Sequence, residues 1–128
     1  MNKKIAKLLI TTGLCMLLLT LLTSVAFAQP KFNNYFGSYN TYNGVIAPIG
    51  SIVDIYDQDG VFCGRDTIAV SPGIGKYGFI PISGDNLIEG ETLVFELNGR
   101  PATTNGPDEP IWDGNPTDPK EVDRKSVV

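Results

Sequence analysis

The sequence predicts an all-β domain, an antiparallel β-sandwich of about seven strands, preceded by an N-terminal apolar signal helix. Three observations carry this expectation. Gly50 to Gly64, GSIVDIYDQDGVFCG, sets two runs of β-branched and aromatic residues around an Asp59-Gly60 step, a strong local sign of a hairpin. Glu91 to Gly99, ETLVFELNG, alternates with period two, placing Leu93, Phe95 and Leu97 on one face and Thr92, Val94 and Glu96 on the other. Beyond Ala28 no segment shows a helical period, and closely spaced turn signals punctuate the chain, as short packed strands require.

The segment 1–28 stands apart. Lys3, Lys4 and Lys7 precede an uncharged, leucine-rich run from Leu8 to Ala28 that closes on Ala26-Phe27-Ala28 before Gln29. A basic start, an apolar middle and small residues at the minus-three and minus-one positions make a secretory signal, with cleavage expected between Ala28 and Gln29. The alternative is an uncleaved anchor, since the run reaches the roughly 20 residues needed to cross a bilayer. Thr11, Thr12, Gly13, Thr20, Thr23 and Ser24 dilute its apolarity. The expected division is therefore a signal peptide at 1–28, a linker at 29–34 and one domain at 35–128, secreted or held at the cell surface, with membrane contact only through an uncleaved signal.

Removal of the signal leaves 29–128, enough for one core. All fourteen acids and seven of the ten bases lie in that part, a formal charge of −7. Nucleic-acid phosphates need a basic face, so nucleic acid is excluded as a partner. Cys63 is the one thiol left after cleavage and forms no internal bridge, so the domain must stand on apolar contact; the thiol reads as a small buried residue on a strand, the alternative being an intermolecular disulfide.

In chain order, Phe32, Tyr35, Phe36, Tyr39 and Tyr42 crowd the entry. A single strand from Tyr35 to Tyr42 would put Tyr35 and Tyr39 on one face and Phe36 and Tyr42 on the other. Asn43-Gly44 reads as a turn. In the hairpin, Val53 and Ile55 share a face opposite Ile52, Asp54 and Tyr56. The return strand runs from Val61 towards Val70, with Phe62, Ile68 and Val70 of one parity and Cys63, Arg65 and Thr67 of the other. Ser71 to Lys76 is a loop, and Tyr77 to Ile82 a strand whose Pro81 belongs at an edge or at the strand's end. The loop 83–90 leads to the alternating strand, and Asn98-Gly99 turns into a short strand at 100–103. The stretch 104–119, with four prolines and four acids, reads as an irregular loop around Trp112, and 121–127 as a last strand or a fraying tail.

The middle of the chain resembles the carboxypeptidase regulatory-like modules, also called transthyretin-like or prealbumin-like domains. The matching stretches are YFGSYNTYNG, APIGSIVDIYDQDG, GKYGFIPI and EGETLVFELNG, which fall between Tyr35 and Ala102. The resemblance implies a seven-stranded sandwich of the prealbumin-like, carbohydrate-binding-like or Ig-like kind, used by exported bacterial proteins as a non-catalytic accessory, spacing or adhesive module. Such modules usually ride beside an enzyme or receptor, whereas here the module is nearly the whole sequence.

Two motifs are weighed and set aside. Gly73 to Gly78 matches G-x-G-x-x-G, but Phe79-Ile80-Pro81-Ile82 follows where the phosphate-binding helix should begin. With no histidine in the chain, the usual general base of hydrolases and the commonest zinc ligand are missing. A carboxylate pair for glycoside chemistry needs a cleft holding two acids about 5 to 10 Å apart, more than short loops provide. No catalytic residue and no obligatory cofactor is expected.

Binding is the remaining class. Trp112 with Tyr35, Tyr39 and Tyr42 is the candidate sugar-stacking set, the partner being a polysaccharide or another extracellular protein. Short connections reverse the chain, so the loops 57–60, 83–90 and 104–119 should share one end, bearing Asp57, Asp59, Asp85, Glu89, Asp108, Glu109, Asp113 and Asp118 without a base. The other end carries Lys76 and Arg100. Asp57, Asp59, Asp85 and Asp108 are the candidate ligands if calcium stabilises the acidic end, which would make the chain a calcium-stabilised structural module associating through that end. The plain alternative is solvated loops that keep an exported protein soluble. A small secreted glycoside-active enzyme is the remaining reading.

Overall fold

The computed structural model describes residues 2–23 and 30–126. One helix, α1, spans Lys3–Thr23, and among the described residues no helix is long and apolar enough to cross a membrane. The expected cleavage pair Ala28 and Gln29 lies outside the described residues.

The rest is a curled, mixed β-sheet. Its strands are β1 (Asn33–Gly37), β2 (Thr41–Tyr42), β3 (Val45–Ile46), β4 (Ile52–Tyr56), β5 (Phe62–Thr67), β6 (Tyr77–Ile82), β7 (Val94–Leu97), β8 (Arg100–Pro107) and β9 (Lys120–Ser126). The order runs β3-β2-β9-β8-β7-β4-β5, and β1 also lies beside β9, carrying β6 on its far side. The pairing is not antiparallel throughout, as the sequence led one to expect. Tyr35 pairs Lys120 and Thr41 pairs Lys125, so β1 and β2 both run parallel to β9, end to end along one flank. Local turn signals specify hairpins, and they carry no information about strands drawn from opposite ends of the domain.

The hairpins form where the turn chemistry predicts them. Asn43 and Gly44 have φ of 54° and 77°, Asn98 and Gly99 have 53° and 75°, and positive φ at both central positions is the turn whose twist matches paired strands. Asp57 closes the organising hairpin: its N–H donates to Val61 O at 2.9 Å, and its Oδ1 accepts the N–H groups of Asp59 and Val61, each at 2.9 Å. A bulge then shifts the register, Ile55 facing Gly64 while Tyr56 faces Phe62. Val53, Ile55 and Ile68 are fully buried, but Phe62 and Val70 are exposed, because the bulge at Cys63 and the end of β5 at Thr67 break the expected parity.

Three more expectations are corrected. The strand drawn from Tyr35 to Tyr42 is two strands, because Asp123 Oδ1 accepts the N–H groups of Ser38 and Tyr39 at 2.7 and 3.0 Å and pinches the chain between them. In the gap the Asn40 side chain replaces the backbone ladder, Oδ1 accepting Arg124 N–H and Nδ2 donating to Gly75 O, both at 2.7 Å. β1 also begins at Asn33, inside the stretch expected to be linker. The loop drawn at 104–119 gives its first residues to β8 and bridges Ile111 to Thr92. Lys120–Ser126 form the strand with neighbours on both flanks.

The two ends of the curl meet. Gly78 N–H donates to Asp66 Oδ2 at 2.7 Å, and a Cβ on Gly64 would fall 2.8 Å from both Ile80 Cγ2 and Ile82 Cδ1. The core enclosed between these walls contains Tyr35, Val53, Ile55, Ile68, Tyr77, Ile80, Ile82, Leu93, Phe95, Leu97, Trp112 and Val122. Leu93, Phe95 and Leu97 are inside and Thr92 and Val94 outside, as the alternation predicts.

Gly37 sits where β1 meets the Tyr77 ring, and a Cβ there would overlap that ring and lie 2.7 Å from Asn40 Nδ2. Tyr77 is fully buried and hydrogen-bonded through its hydroxyl to Val122 O, so it has no room to move aside. Gly37→Ala is therefore expected to lower the unfolding free energy by about 1–3 kcal/mol, the usual range for overpacking. Urea unfolding checks this, and an unchanged midpoint contradicts it.

Candidate functional site

The three acidic loops do meet. Glu91, at the foot of β7, accepts the N–H groups of Ile88 and Gln58 at 2.5 and 3.3 Å, and its carbonyl accepts Trp112 N–H at 2.9 Å, tying all three loops together. Half of their eight carboxylates, those of Asp57, Asp108, Asp113 and Asp118, are engaged by the protein itself. Asp57 is buried within its own turn, and Asp108 Oδ2 accepts Glu121 N–H at 2.8 Å. Asp113 accepts Asn33 Nδ2–H at 2.6 Å and Asn115 N–H at 2.9 Å. Asp59 and Asp85 are exposed. The end also holds a base that loop boundaries alone did not place there: Lys120 Nζ lies 3.0 Å from Asp113 Oδ2 and 3.6 Å from Asp118 Oδ2. Among the described residues no group of three or more acids or cysteines is placed to hold a metal, and Asp57, Asp59, Asp85 and Asp108 form no such set.

The proposed aromatic platform is dispersed. Trp112 is 3% exposed, with its indole N–H donating to Ile82 O at 3.0 Å, so it is a core residue with its polar edge satisfied. Tyr35 is fully buried, edge-on to Phe95 at 5.8 Å, and its hydroxyl donates to Ile111 O at 2.7 Å. Tyr42 is half-buried against the core. Tyr39 alone of the four is exposed.

The structure instead offers a different aromatic site. At the end of the β1–β6 pair remote from Asp113, an open groove of about 180 Å³ is lined by Phe36, Ser38, Pro72, Lys76, Tyr77 and Phe79 together with Gly37 and Gly78. Phe36 and Phe79 meet edge to face at 5.3 Å, and Phe79 is 64% exposed. Val70 and Ile74, in the loop that carries Pro72 and Lys76, are exposed as well. The groove thus has apolar walls and a cation at its rim. It suits the apolar face of a ring with polar or anionic substituents at its edge. Sequence reasoning passed over Phe79, although it shares the parity of Pro81 and alternates with the inward Ile80 and Ile82.

Arg124 was also missed. It shares a face of β9 with Val122 and Ser126 and is 2% exposed, its guanidinium 4.0 Å above the Phe95 ring, with Nε and Nη2 lacking a hydrogen-bond partner. Burial pushes its pKa down from the usual guanidinium range to about 10, against the opposing pull of Tyr77, Glu109 and Asp123. Cys63 is half-buried with Sγ 3.3 Å from Val61 O, and burial, reinforced by Asp57, raises its pKa, which leaves it a poor nucleophile. No protein-family model matches this chain, and neither curated proteins nor solved structures give a match.

The buried ionisable groups set an alkaline limit. Burial, with Asp113 and Glu91 adding, raises the Tyr35 pKa, and burial raises that of Tyr77 as well. Both hydroxyls stay protonated in the fold while the unfolded chain begins to lose those protons near pH 10, so their stabilisation is present below pH 10 and is lost as pH rises through the folded values. Arg124 acts oppositely: above about 10 the unfolded chain still holds its proton and the fold does not, so stability rises there until the unfolded guanidinium also titrates. Two tyrosines against one arginine give a net decline. The urea midpoint is expected to fall above pH 10 and to fall less steeply in Tyr35→Phe with Tyr77→Phe. A midpoint that rises with pH in the wild type contradicts this.

Proposed function

We propose that this chain is an exported, non-catalytic binding module whose ligand is an extracellular polysaccharide, taken in the Phe36–Phe79 groove. On this reading the curled sheet is a two-layered sandwich of the transthyretin-like, carboxypeptidase regulatory-like kind, with β6, β1 and β9 facing β5, β4 and β7. The meeting of β5 with β6 and the shared core support it. The signal-like start of the chain supports export.

One observation carries the binding reading: an aromatic pair, Phe79 exposed and Phe36 half-buried, lines an open groove on the β-domain, while Tyr35 and Trp112 are buried in the core. A pyranose ring offers a C–H face to such a pair, and its hydroxyls reach Ser38 and Lys76. The rim cation favours an acidic polysaccharide over a neutral one.

Retention on insoluble polysaccharides, acidic and neutral, tests the proposal. Phe79→Ala is expected to weaken retention about two- to twelvefold, the equivalent of an aromatic contact of ~0.5–1.5 kcal/mol. Lys76→Glu should weaken it selectively on the acidic matrix. Phe79 is exposed, so the variant keeps the wild-type melting temperature. Equal retention of wild type and Phe79→Ala on every matrix sinks the groove as the binding site.

A further inference from the structure

The buried amide of Asn33 is arranged in an uncommon way. Asn33 is fully buried at the start of β1, and its Oδ1 accepts two backbone N–H groups, from Asp113 at 2.8 Å and Gly114 at 2.9 Å. Its Nδ2 donates to Asp113 Oδ1 at 2.6 Å and to Asn115 O at 3.2 Å. The other oxygen of the same carboxylate, Oδ2, lies 3.0 Å from Lys120 Nζ, and the Lys120 side chain is only 16% exposed. β1 and β9 are neighbours here, Tyr35 pairing with Lys120. One carboxylate therefore bridges a lysine ammonium and a carboxamide whose carbonyl is already polarised by two backbone donors.

We propose that Lys120 and Asn33 join in an intramolecular amide bond, formed autocatalytically with Asp113 as the proton carrier. Lys120 Nζ gives a proton to Asp113 and attacks Asn33 Cγ, forming the Nζ–Cγ bond. The negative oxygen that develops on Asn33 is held by the N–H groups of Asp113 and Gly114, which stand at the distances such stabilisation uses. Asp113 then delivers the proton to Nδ2, the Cγ–Nδ2 bond breaks, and the nitrogen departs. Two of the three ammonium protons leave with it as ammonium ion, and no oxidant or co-reactant is consumed. Positioning on one carboxylate makes the step unimolecular, which is where the rate advantage arises.

The bond would clasp the first strand of the domain to the last. An exported domain with one thiol beyond its signal has no disulfide to do this. Burial works to lower the Lys120 pKa and raise that of Asp113, but hydrogen bonding outweighs burial at both, so the lysine titrates above and the aspartate below its ordinary value. Little free amine is present at neutral pH. The reaction is accordingly slow, happens once per molecule, and runs faster at pH 9 than at pH 6.

Mass spectrometry of protein expressed from the full chain tests this. After incubation at pH 9 the wild type is expected to be about 17 Da lighter than its linear sequence, by loss of ammonia, and to yield a branched tryptic peptide containing both Asn33 and Lys120. Cyclisation of an N-terminal Gln29 also removes ammonia, so the reading is the loss present in wild type and missing from Lys120→Arg, which keeps the ion pair but forms no amide. Asp113→Asn should stay at the linear mass. Tryptic cleavage after Lys120 in the wild type with no branched peptide at pH 9 overturns the proposal, as does an equal mass loss in Lys120→Arg.

Discussion

Everything in the domain leans on β9. Its backbone pairs β8 along one flank and β1 and then β2 along the other, so a short strand near the end of the chain supplies the seam between the hairpins that follow Gly50 and the strands that precede it. The side chains of the same strand do further work. Asp123 captures the two N–H groups that separate β1 from β2, and Lys120 neutralises the loop that delivers the chain to β9. Val122 O, on the backbone between them, accepts the Tyr77 hydroxyl. Without β9, no ladder among the described strands would join β1 and β6 to the rest; side-chain packing and the edge contact of Asp66 with Gly78 would have to hold them.

The polar groups that this closure buries are mostly satisfied from within. Asn33, Asn40, Asp57, Glu91 and Asp123 each accept backbone N–H groups that no strand partner could reach, which converts irregular connections into fixed ones. The main exception is Arg124, whose guanidinium lies on Phe95 with two nitrogens unbonded. Replacing such a group with an apolar one of similar length is often neutral or stabilising. A guanidinium held against Phe95 in this way is a cost that the strand bears in its middle.

What could be read from the sequence was what is local. The β4–β5 hairpin, the inward Leu93, Phe95 and Leu97, the two Asn-Gly turns and the bounds of β6 all follow from residues within a few positions of one another. The central place of β9 does not, because β1 and β2 come from the far end of the domain and its own residues, KEVDRKS, look like a polar tail. Trp112 illustrates the same limit. Its proline-rich surroundings read as an exposed loop, yet Glu91 and Pro110 tie that loop to the foot of β7 and direct the indole onto Ile82 O. For the candidate site the sequence pointed to aromatic side chains near the entry of the domain. Which of them face outward depended on the pinch at Ser38 and on β6 meeting β1, and so the groove came to be lined by Phe36 and Phe79, not by the tyrosines of the candidate set or Trp112.

The most direct test of the closure is amide hydrogen exchange of the native protein, resolved along β9. If this strand is the seam, the N–H groups of Val122 to Arg124 exchange in the slowest class, together with those of β4 and β7, at a rate that tracks global unfolding. Exchange of these amides within seconds while β4 and β7 remain protected would show a frayed tail, and would contradict the account.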